Sequence, residues 1–172
     1  MELEKKYCAS PWRGLHLNFE GNVKTCCAAH PTVLGTRNDD NSWKQDNRSI
    51  DEILQSDAMK EVRASIKQGI LHPKYCENCI NNENAGFGSE RSWHNNISPE
   101  FDCATAELDD HKPALMDIRW NNTCNLACTY CSPYFSTKWA SIKGQPFNQT
   151  INTQYEDIIK YIEKHQDTVK EV

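Results

Sequence analysis

The segment YCASPWRGLHLNFEGNVKTCC, residues 7–27, predicts a β-hairpin with a cysteine close to each end. Apolar and polar residues alternate over positions 15–19, which is the period of a half-buried strand. Gly21 lies in the following turn, where a glycine can take the positive φ that short hairpin turns require. The two strands therefore bring Cys8 and Cys26 into one local unit.

The composition limits the classes of protein to consider. The chain has 172 residues, 38% of them hydrophobic, and a formal net charge of −5. This acidic balance argues against a nucleic-acid-binding protein, which normally needs a basic face. The apolar runs are too short to span a membrane, and the first residues lack the hydrophobic stretch of a signal peptide. A cytoplasmic protein is therefore expected.

The chain contains nine cysteines, an unusual number for a cytosolic protein unless the thiols bind metal. They are Cys8, Cys26, Cys27, Cys76, Cys79, Cys103, Cys124, Cys128 and Cys131. The odd number and the presence of two tight clusters disfavour a disulfide framework. Metal ligation is the better interpretation.

Helical signals follow the hairpin. Ser49 and Glu52 form a capping box, and a second helix is predicted from about residue 57 to residue 68. Its buried stripe consists of Met59, Val62 and Ile66. Gly69 suits the position just beyond the end of this helix. Residues 81–98 are rich in Asn, Ser and Gly, so the sequence gives only a weak helical signal there.

The second half of the chain is predicted to begin with a strand over residues 114–120, which leads directly into three closely spaced cysteines. The helix that follows is expected to carry Phe135, Trp139 and Ile142 on one side. A last helix, with a capping box at Thr153 and Glu156, is expected to continue to the end of the chain.

Cys124, Cys128 and Cys131 have the spacing C-x3-C-x2-C, and no further cysteine follows them. A 4Fe–4S cluster has four irons, so three thiolates leave one iron open for another ligand. The alternative is a zinc site with His111 or Cys103 as its fourth ligand. The spacing favours the iron–sulfur cluster.

A strand followed by C-x3-C-x2-C and a helix resembles the radical S-adenosylmethionine (radical SAM) enzymes. In that family an aromatic residue precedes the third cysteine, and Tyr130 holds this position here. The resemblance implies that Tyr130 packs near the adenine of the cofactor. The alternative is ordinary packing under the loop.

The resemblance also implies a mechanism. The open iron binds the amino and carboxylate groups of S-adenosylmethionine, and the reduced cluster passes one electron to the sulfonium. The resulting 5′-deoxyadenosyl radical removes a hydrogen atom from the substrate, which is expected to be a peptide or a small metabolite. The protein supplies position and excludes solvent. A reductant such as flavodoxin or ferredoxin is the expected partner.

The remaining paired cysteines suggest a second site. Cys8 and Cys26 on the hairpin, with Cys76 and Cys79 in a C-x2-C, can fill all four corners of a 4Fe–4S cluster. Four thiolates also suit a structural zinc ion, so geometry alone leaves both metals open. The pattern resembles the twitch domain, the shortened relative of the SPASM domain. This resemblance implies an auxiliary 4Fe–4S cluster.

Two cysteines and the histidines are not assigned to either site. Cys27 is expected to point to the opposite face of its strand from Cys26 and to be buried. Cys103 is expected to be a free thiol. The six histidines have no metal-binding spacing and are interpreted as surface or loop residues.

The expected fold class is α+β over residues 1–98, a twitch/SPASM-like module of a hairpin and helices. Residues 99–113 form a linker, and residues 114–172 begin an α/β radical SAM partial (β/α)6 barrel. Each strand–helix unit of a barrel takes on the order of 30 residues, so this last segment cannot complete one. We therefore expect a truncated or split product that binds iron–sulfur clusters without turnover.

Two functions of other classes remain open. One is a non-catalytic zinc-binding interaction module that uses the four paired cysteines. The other is an iron–sulfur electron-transfer protein that uses its clusters without S-adenosylmethionine.

Overall fold

The computed structural model describes residues 6–30, 48–147 and 155–172. In chain order its elements are α1 (Ser10–Arg13), β1 (Gly14–Leu17), β2 (Val23–Lys24), α2 (Ile50–Leu54), α3 (Asp57–Lys67), α4 (Glu77–Asn84), α5 (Glu90–Ile97), β3 (Leu115–Ile118), α6 (Thr137–Ile142) and α7 (Tyr155–His165). The strands form one sheet in the order β2-β1-β3.

The predicted hairpin is confirmed. β1 and β2 pair antiparallel with Leu17 opposite Val23, and Gly21 has a φ of 81° in the turn between them. β1 is buried along its whole length, because it is the central strand of the sheet. The half-buried alternation expected from the sequence is therefore wrong here, since His16 is buried as well.

β3 confirms the strand predicted at residues 114–120, and it pairs parallel with β1 of the hairpin. On its other side Leu115 forms a parallel bridge with Glu171. The Met116 N–H donates to the Glu171 carbonyl oxygen at 2.9 Å. The last residues therefore return to the strand that precedes the three-cysteine loop.

Helices α2 and α3 form where the sequence predicts them. α2 begins with the predicted capping box of Ser49 and Glu52. α3 buries the predicted stripe, which consists of Met59, Val62 and Ile66. Gly69 follows it with a φ of 78°, as expected for the residue beyond a helix end.

Residues 81–98 give only a weak helical signal, yet α4 and α5 cover most of this segment. Gly86 has a φ of 80° and allows the chain to turn between them. Both helices are polar and bury few side chains, so apolar periodicity could not reveal them. In the described ranges, no helix is long and apolar enough to cross a membrane.

The last two helices differ from their predictions. α6 begins after Phe135, and both Phe135 and Ile142 are exposed, so the expected apolar side is wrong. α7 ends at His165 and does not continue to the end of the chain. The Lys170 N–H instead donates to the Ala114 carbonyl oxygen at 2.7 Å. The capping box predicted at Thr153 lies outside the described residues.

The hydrophobic core contains side chains from both halves of the chain. Its members include Trp12, Leu17, Ile53, Met59, Val62, Tyr75, Met116, Ile158 and Tyr161. Residues 1–98 and 114–172 therefore share a sheet and a core, while the predicted domain boundary at residues 99–113 stays a prediction.

Arg63 is a fully buried charged residue inside this core. Its Nε and Nη2 donate to the Pro11 carbonyl oxygen at 2.9 and 2.8 Å, and its Nη1 donates to the Leu108 carbonyl oxygen at 2.6 Å. The guanidinium also lies 5.9 Å from the centre of the Trp12 ring. Arg63 therefore ties α3 to α1 and to the segment before β3.

We expect Arg63→Ala to lower the free energy of unfolding by about 3 kcal/mol, because it leaves buried carbonyl groups unpaired and opens a cavity. Urea denaturation of the metal-free chain measures this change. Glu61→Ala, on the exposed side of the same helix, is the matched control and should shift the value by less than about 0.5 kcal/mol. Equal effects of the two substitutions would contradict the role of Arg63.

Candidate metal centres

The four cysteines predicted to share a cluster line one pocket. They are Cys8, Cys26, Cys76 and Cys79. Other residues that line the pocket include Ser10, Tyr75, Arg91 and His94. The structure thus brings together thiols that are up to 71 positions apart in the sequence.

Each pair of these cysteines has a distinct structural setting. Cys76 is the N-cap residue of α4 and Cys79 lies in the first turn of that helix. The Cys76 N–H donates to the His72 carbonyl oxygen at 2.9 Å, which closes the turn before α4. Cys8 lies just before α1, and Cys26 follows β2.

A network of three hydroxyl groups ties these segments together. The Ser10 hydroxyl donates to the Thr25 carbonyl oxygen at 3.0 Å, and the Thr25 N–H donates to the Tyr75 hydroxyl oxygen, also at 3.0 Å. The Thr25 and Tyr75 hydroxyls are 2.8 Å apart. A Cβ at Gly14 would lie 2.0 Å from the Thr25 carbonyl oxygen, so only glycine permits this close approach.

The backbone on both sides of Cys8 is held by α5. Asn95 accepts from the Ala9 N–H at 2.9 Å and donates from Nδ2 to the Tyr7 carbonyl oxygen at 3.1 Å. Arg91 donates from Nη1 to the same carbonyl oxygen at 3.0 Å. Cys8 therefore cannot leave the pocket without breaking contacts to this helix.

Arg91 is in turn held by Glu83, whose Oε1 lies 2.8 Å from the Arg91 Nε. Lys6 contacts the other carboxylate oxygen of Glu83, also at 2.8 Å, and the Ser89 hydroxyl donates to Oε1 at 2.7 Å. These contacts join α4, α5 and the segment before Cys8 on one side of the pocket.

Burial raises the pKa of three thiols of the metal-free pocket, those of Cys8, Cys26 and Cys76. It raises the pKa of Cys8 well above the usual range, and the neighbouring Cys26 and Cys76 raise it further. It also raises the pKa of Cys26 to about 12 and that of Cys76 to about 11. A metal that binds here must therefore displace protons from these thiols.

Four thiolates suit the four irons of a cubane as well as a single zinc ion. All nine cysteines are free thiols. Within residues 6–30, 48–147 and 155–172, no three Cys, His, Asp or Glu side chains converge as the ligands of one metal ion would. The four thiols border a space, and a cubane, which offers a separate iron to each thiolate, suits such a space.

The three-cysteine loop is anchored on the start of α6. The Cys124 carbonyl oxygen accepts from the Ser136 hydroxyl at 3.2 Å and from the Thr137 hydroxyl at 2.6 Å. Trp139 Nε1 donates to the Cys128 carbonyl oxygen at 2.8 Å. The backbone of the loop is therefore fixed, although its side chains face outward.

The three-cysteine loop borders an open pocket. Cys124 and Cys131 line this pocket together with Tyr130. Cys128 does not line that pocket, although a hydrogen bond with Cys128 raises the pKa of Tyr130. The Tyr130 side chain is 91% exposed, so it does not pack under the loop as the alternative interpretation requires. Its predicted contact with adenine stays a prediction.

The residues considered as a fourth zinc ligand are engaged elsewhere. His111 is buried, with Nε2 at 2.9 Å from the Gly14 carbonyl oxygen and Nδ1 at 2.7 Å from the Tyr161 hydroxyl. Cys103 is a free thiol buried in the core near the backbone of Cys8, and burial raises its pKa to about 11. Neither of them lines the open pocket at the three-cysteine loop.

Two further expectations are wrong. Cys27 is exposed rather than buried, because β2 ends at Lys24 and the chain bends before Cys27. It lines a separate groove between α5 and β3. Four of the histidines are buried, namely His16, His94, His111 and His165. A histidine ring can be buried when its nitrogens find partners in the fold, as His16 Nδ1 does with Asp117 at 2.8 Å. The spacing of histidines in the sequence does not reveal such partners.

The residues that hold the pocket together carry no strong signal in the sequence. Arg91 and Asn95 lie in a segment for which only a weak helical signal was found. The hydroxyls of Ser10, Thr25 and Tyr75 each lie within two residues of a cysteine, and this proximity is the signal that could have identified them.

We expect Tyr75→Phe to lower the free energy of unfolding of the metal-free chain by about 1–2 kcal/mol, because the buried Thr25 N–H loses its acceptor. Urea denaturation measures the change, and iron uptake after reconstitution should fall with it. Tyr7→Phe is the control, since no hydrogen bond of the Tyr7 hydroxyl occurs among the described residues. An unchanged unfolding midpoint for Tyr75→Phe would contradict the role of the network.

The lowered pKa of Glu83 predicts how the free energy of unfolding depends on pH. Arg91, with help from Lys6 and Ser89, lowers the pKa of Glu83 to about 2, below the value near 4.5 that it has when exposed. The stabilisation is therefore complete above pH 4.5 and is lost as the pH falls towards 2. Glu83→Gln should unfold more easily than the wild type at pH 6, and the difference should shrink at pH 3. A difference that does not depend on pH would contradict this assignment.

Comparison with protein families matches residues 8–80 to the SPASM model, an iron–sulfur cluster-binding domain. The matched span contains all four cysteines of the enclosed pocket and covers less than half of the chain. No curated protein and no solved structure matches the chain. The family match supports an auxiliary iron–sulfur cluster domain, of the kind associated with radical SAM enzymes, in residues 8–80.

Proposed function

We propose that the chain is part of a radical SAM enzyme with two 4Fe–4S clusters. In this proposal Cys8, Cys26, Cys76 and Cys79 hold an auxiliary cluster, and Cys124, Cys128 and Cys131 hold the cluster that binds S-adenosylmethionine. One observation carries the proposal: four thiols from distant segments, all within the span that matches the SPASM model, line one pocket.

The auxiliary site fits its cluster through the number and the placement of its thiols. Four thiolates satisfy all four irons, so this cluster would not bind substrate through an open corner. When bound, such a cluster supplies a site for electron transfer. The residues of the chain exclude water from it, because Cys8 and Cys79 are buried and Tyr75 and His94 pack around them.

The fold around the three-cysteine loop supports the second part of the proposal. β3 lies parallel to β1, and Glu171 lies parallel to Leu115 on the other side of β3. The chain between Leu115 and Glu171 contains helices α6 and α7 and returns to the edge of β3 in a single parallel bridge, as a crossover connection does. Parallel barrels are built from such crossovers, and their reactive residues follow the ends of strands, as the three-cysteine loop follows β3.

The residues near this loop have defined tasks in the proposal. Cys124, Cys128 and Cys131 would hold three irons of the cluster, which when bound would offer its fourth iron to the amino and carboxylate groups of S-adenosylmethionine. Tyr130 exposes its ring and can contact the adenine, and Cys124 and Cys131 open to a pocket that also contains Arg119. A peptide or a small metabolite is the proposed substrate, flavodoxin or ferredoxin the proposed reductant, and the cytoplasm the proposed location.

Anaerobic reconstitution of the full chain tests the two assignments together. We expect about eight irons per chain in the wild type, because each cubane contributes four. Replacement of Cys8, Cys26, Cys76 and Cys79 by alanine should leave about four, and so should replacement of Cys124, Cys128 and Cys131. One zinc ion and no iron would favour the zinc-binding module and would refute the proposal.

The electron paramagnetic resonance (EPR) spectrum of the reduced protein separates an enzyme from an electron-transfer protein. S-adenosylmethionine should change the spectrum of the variant that keeps only the three-cysteine cluster, because the cofactor binds its open iron. It should leave unchanged the spectrum of the variant that keeps only the four-cysteine cluster. Identical spectra with and without S-adenosylmethionine in both variants would contradict the radical SAM assignment.

A further inference from the structure

Arg91 lines the four-cysteine pocket but is not a ligand of the proposed cluster. We propose that the Arg91 guanidinium, held by Glu83, offsets the negative charge of the cluster at Cys8, Cys26, Cys76 and Cys79 and raises its reduction potential. The inference rests on the proposed function, because it requires a cluster in this pocket.

The position of Arg91 is fixed by its contacts. It lies in the first turn of α5, lines the pocket, and has only 20% of its side chain exposed. Nη1 donates to the carbonyl oxygen of Tyr7, the neighbour of Cys8, while Nε donates to Glu83. The guanidinium also lies close enough to Cys8 and Cys79 to interact with both electrostatically.

Arg91 is also the only side chain with a permanent charge among the described residues that line this pocket. His94, which lines it too, is neutral at pH 7, because burial lowers its pKa to about 4. The other lining residues are apolar side chains, hydroxyl groups and the four thiols. The field at a cluster bound here therefore depends strongly on Arg91, and it is weakly screened because the pocket is buried.

The sign of the effect follows from charge. A cluster held by four thiolates is negative, and reduction adds one more negative charge to it. A nearby positive charge therefore stabilises the reduced state more than the oxidised state and raises the potential. The negative charge of Glu83 opposes the effect of Arg91 on the reduction potential. Lys6 contacts Glu83 and offsets part of that negative charge. The group Lys6–Glu83–Arg91 is thus net positive.

The test uses the full chain with Cys124, Cys128 and Cys131 replaced by alanine, so that only one cluster is present. Redox titration followed by EPR gives its midpoint potential. Arg91→Gln should shift the potential downward, and Glu83→Gln should shift it upward. Arg91→Lys keeps the charge and should restore most of the wild-type potential. Lys164→Gln, on α7, breaks an exposed ion pair with Asp51 of α2 and serves as the control, with no shift expected.

The opposite signs distinguish a charge effect from a purely structural one. Loss of the Glu83–Arg91 contact would weaken the pocket in either variant, so a structural role predicts lower iron content for both, without shifts of opposite sign. Unmoved potentials, or potentials that move in the same direction, would overturn the inference. If Arg91→Gln takes up no cluster, the sign of the potential shift in Glu83→Gln decides between a charge effect and a structural one. A parent chain that binds no four-iron cluster would refute the proposed function itself.

Discussion

The hydroxyls of Ser10, Thr25 and Tyr75 meet in the interior, and this contact holds together three segments that carry cysteines of the pocket. Thr25 uses its N–H, its carbonyl group and its hydroxyl, and each of its two partners belongs to a different segment. Because each hydroxyl lies beside a cysteine in the sequence, bonds that satisfy buried polar groups also fix the positions of the thiols. The glycine at position 14 permits this arrangement, since any side chain there would meet the Thr25 carbonyl group.

The second structural constraint is the parallel pairing of β1 with β3. It places the strand that leads into the three-cysteine loop beside the hairpin that carries the other site. Arg63 strengthens the same junction, because its guanidinium bonds the carbonyl groups of Pro11 and Leu108. Cys26 follows β2 and the three-cysteine loop follows β3, so each proposed site has a ligand just beyond a strand of the same sheet.

The sequence predicted the features that arise from local patterns. The hairpin, the capping box at Ser49, the helix stripe of α3 and the strand before the three-cysteine loop all depend on residues close in the chain. The predicted hairpin, the C-x2-C pair and the resemblance to the twitch domain together grouped the four cysteines that line one pocket. The polar helices α4 and α5 were not predicted, because their side chains bond to distant partners rather than fill a core. The buried histidines and Arg63 were missed for the same reason, since their burial is acceptable only with partners that the fold supplies.

The central claim is that Cys8, Cys26, Cys76 and Cys79 bind one iron–sulfur cluster. A crystal of the anaerobically reconstituted chain, with diffraction measured on both sides of the iron absorption edge, tests it most directly. The account predicts anomalous density from a four-iron group among these sulfur atoms, with each Sγ bonded to a different iron. Density from one zinc ion in that position, or iron bound to other residues while these thiols stay free, would contradict it.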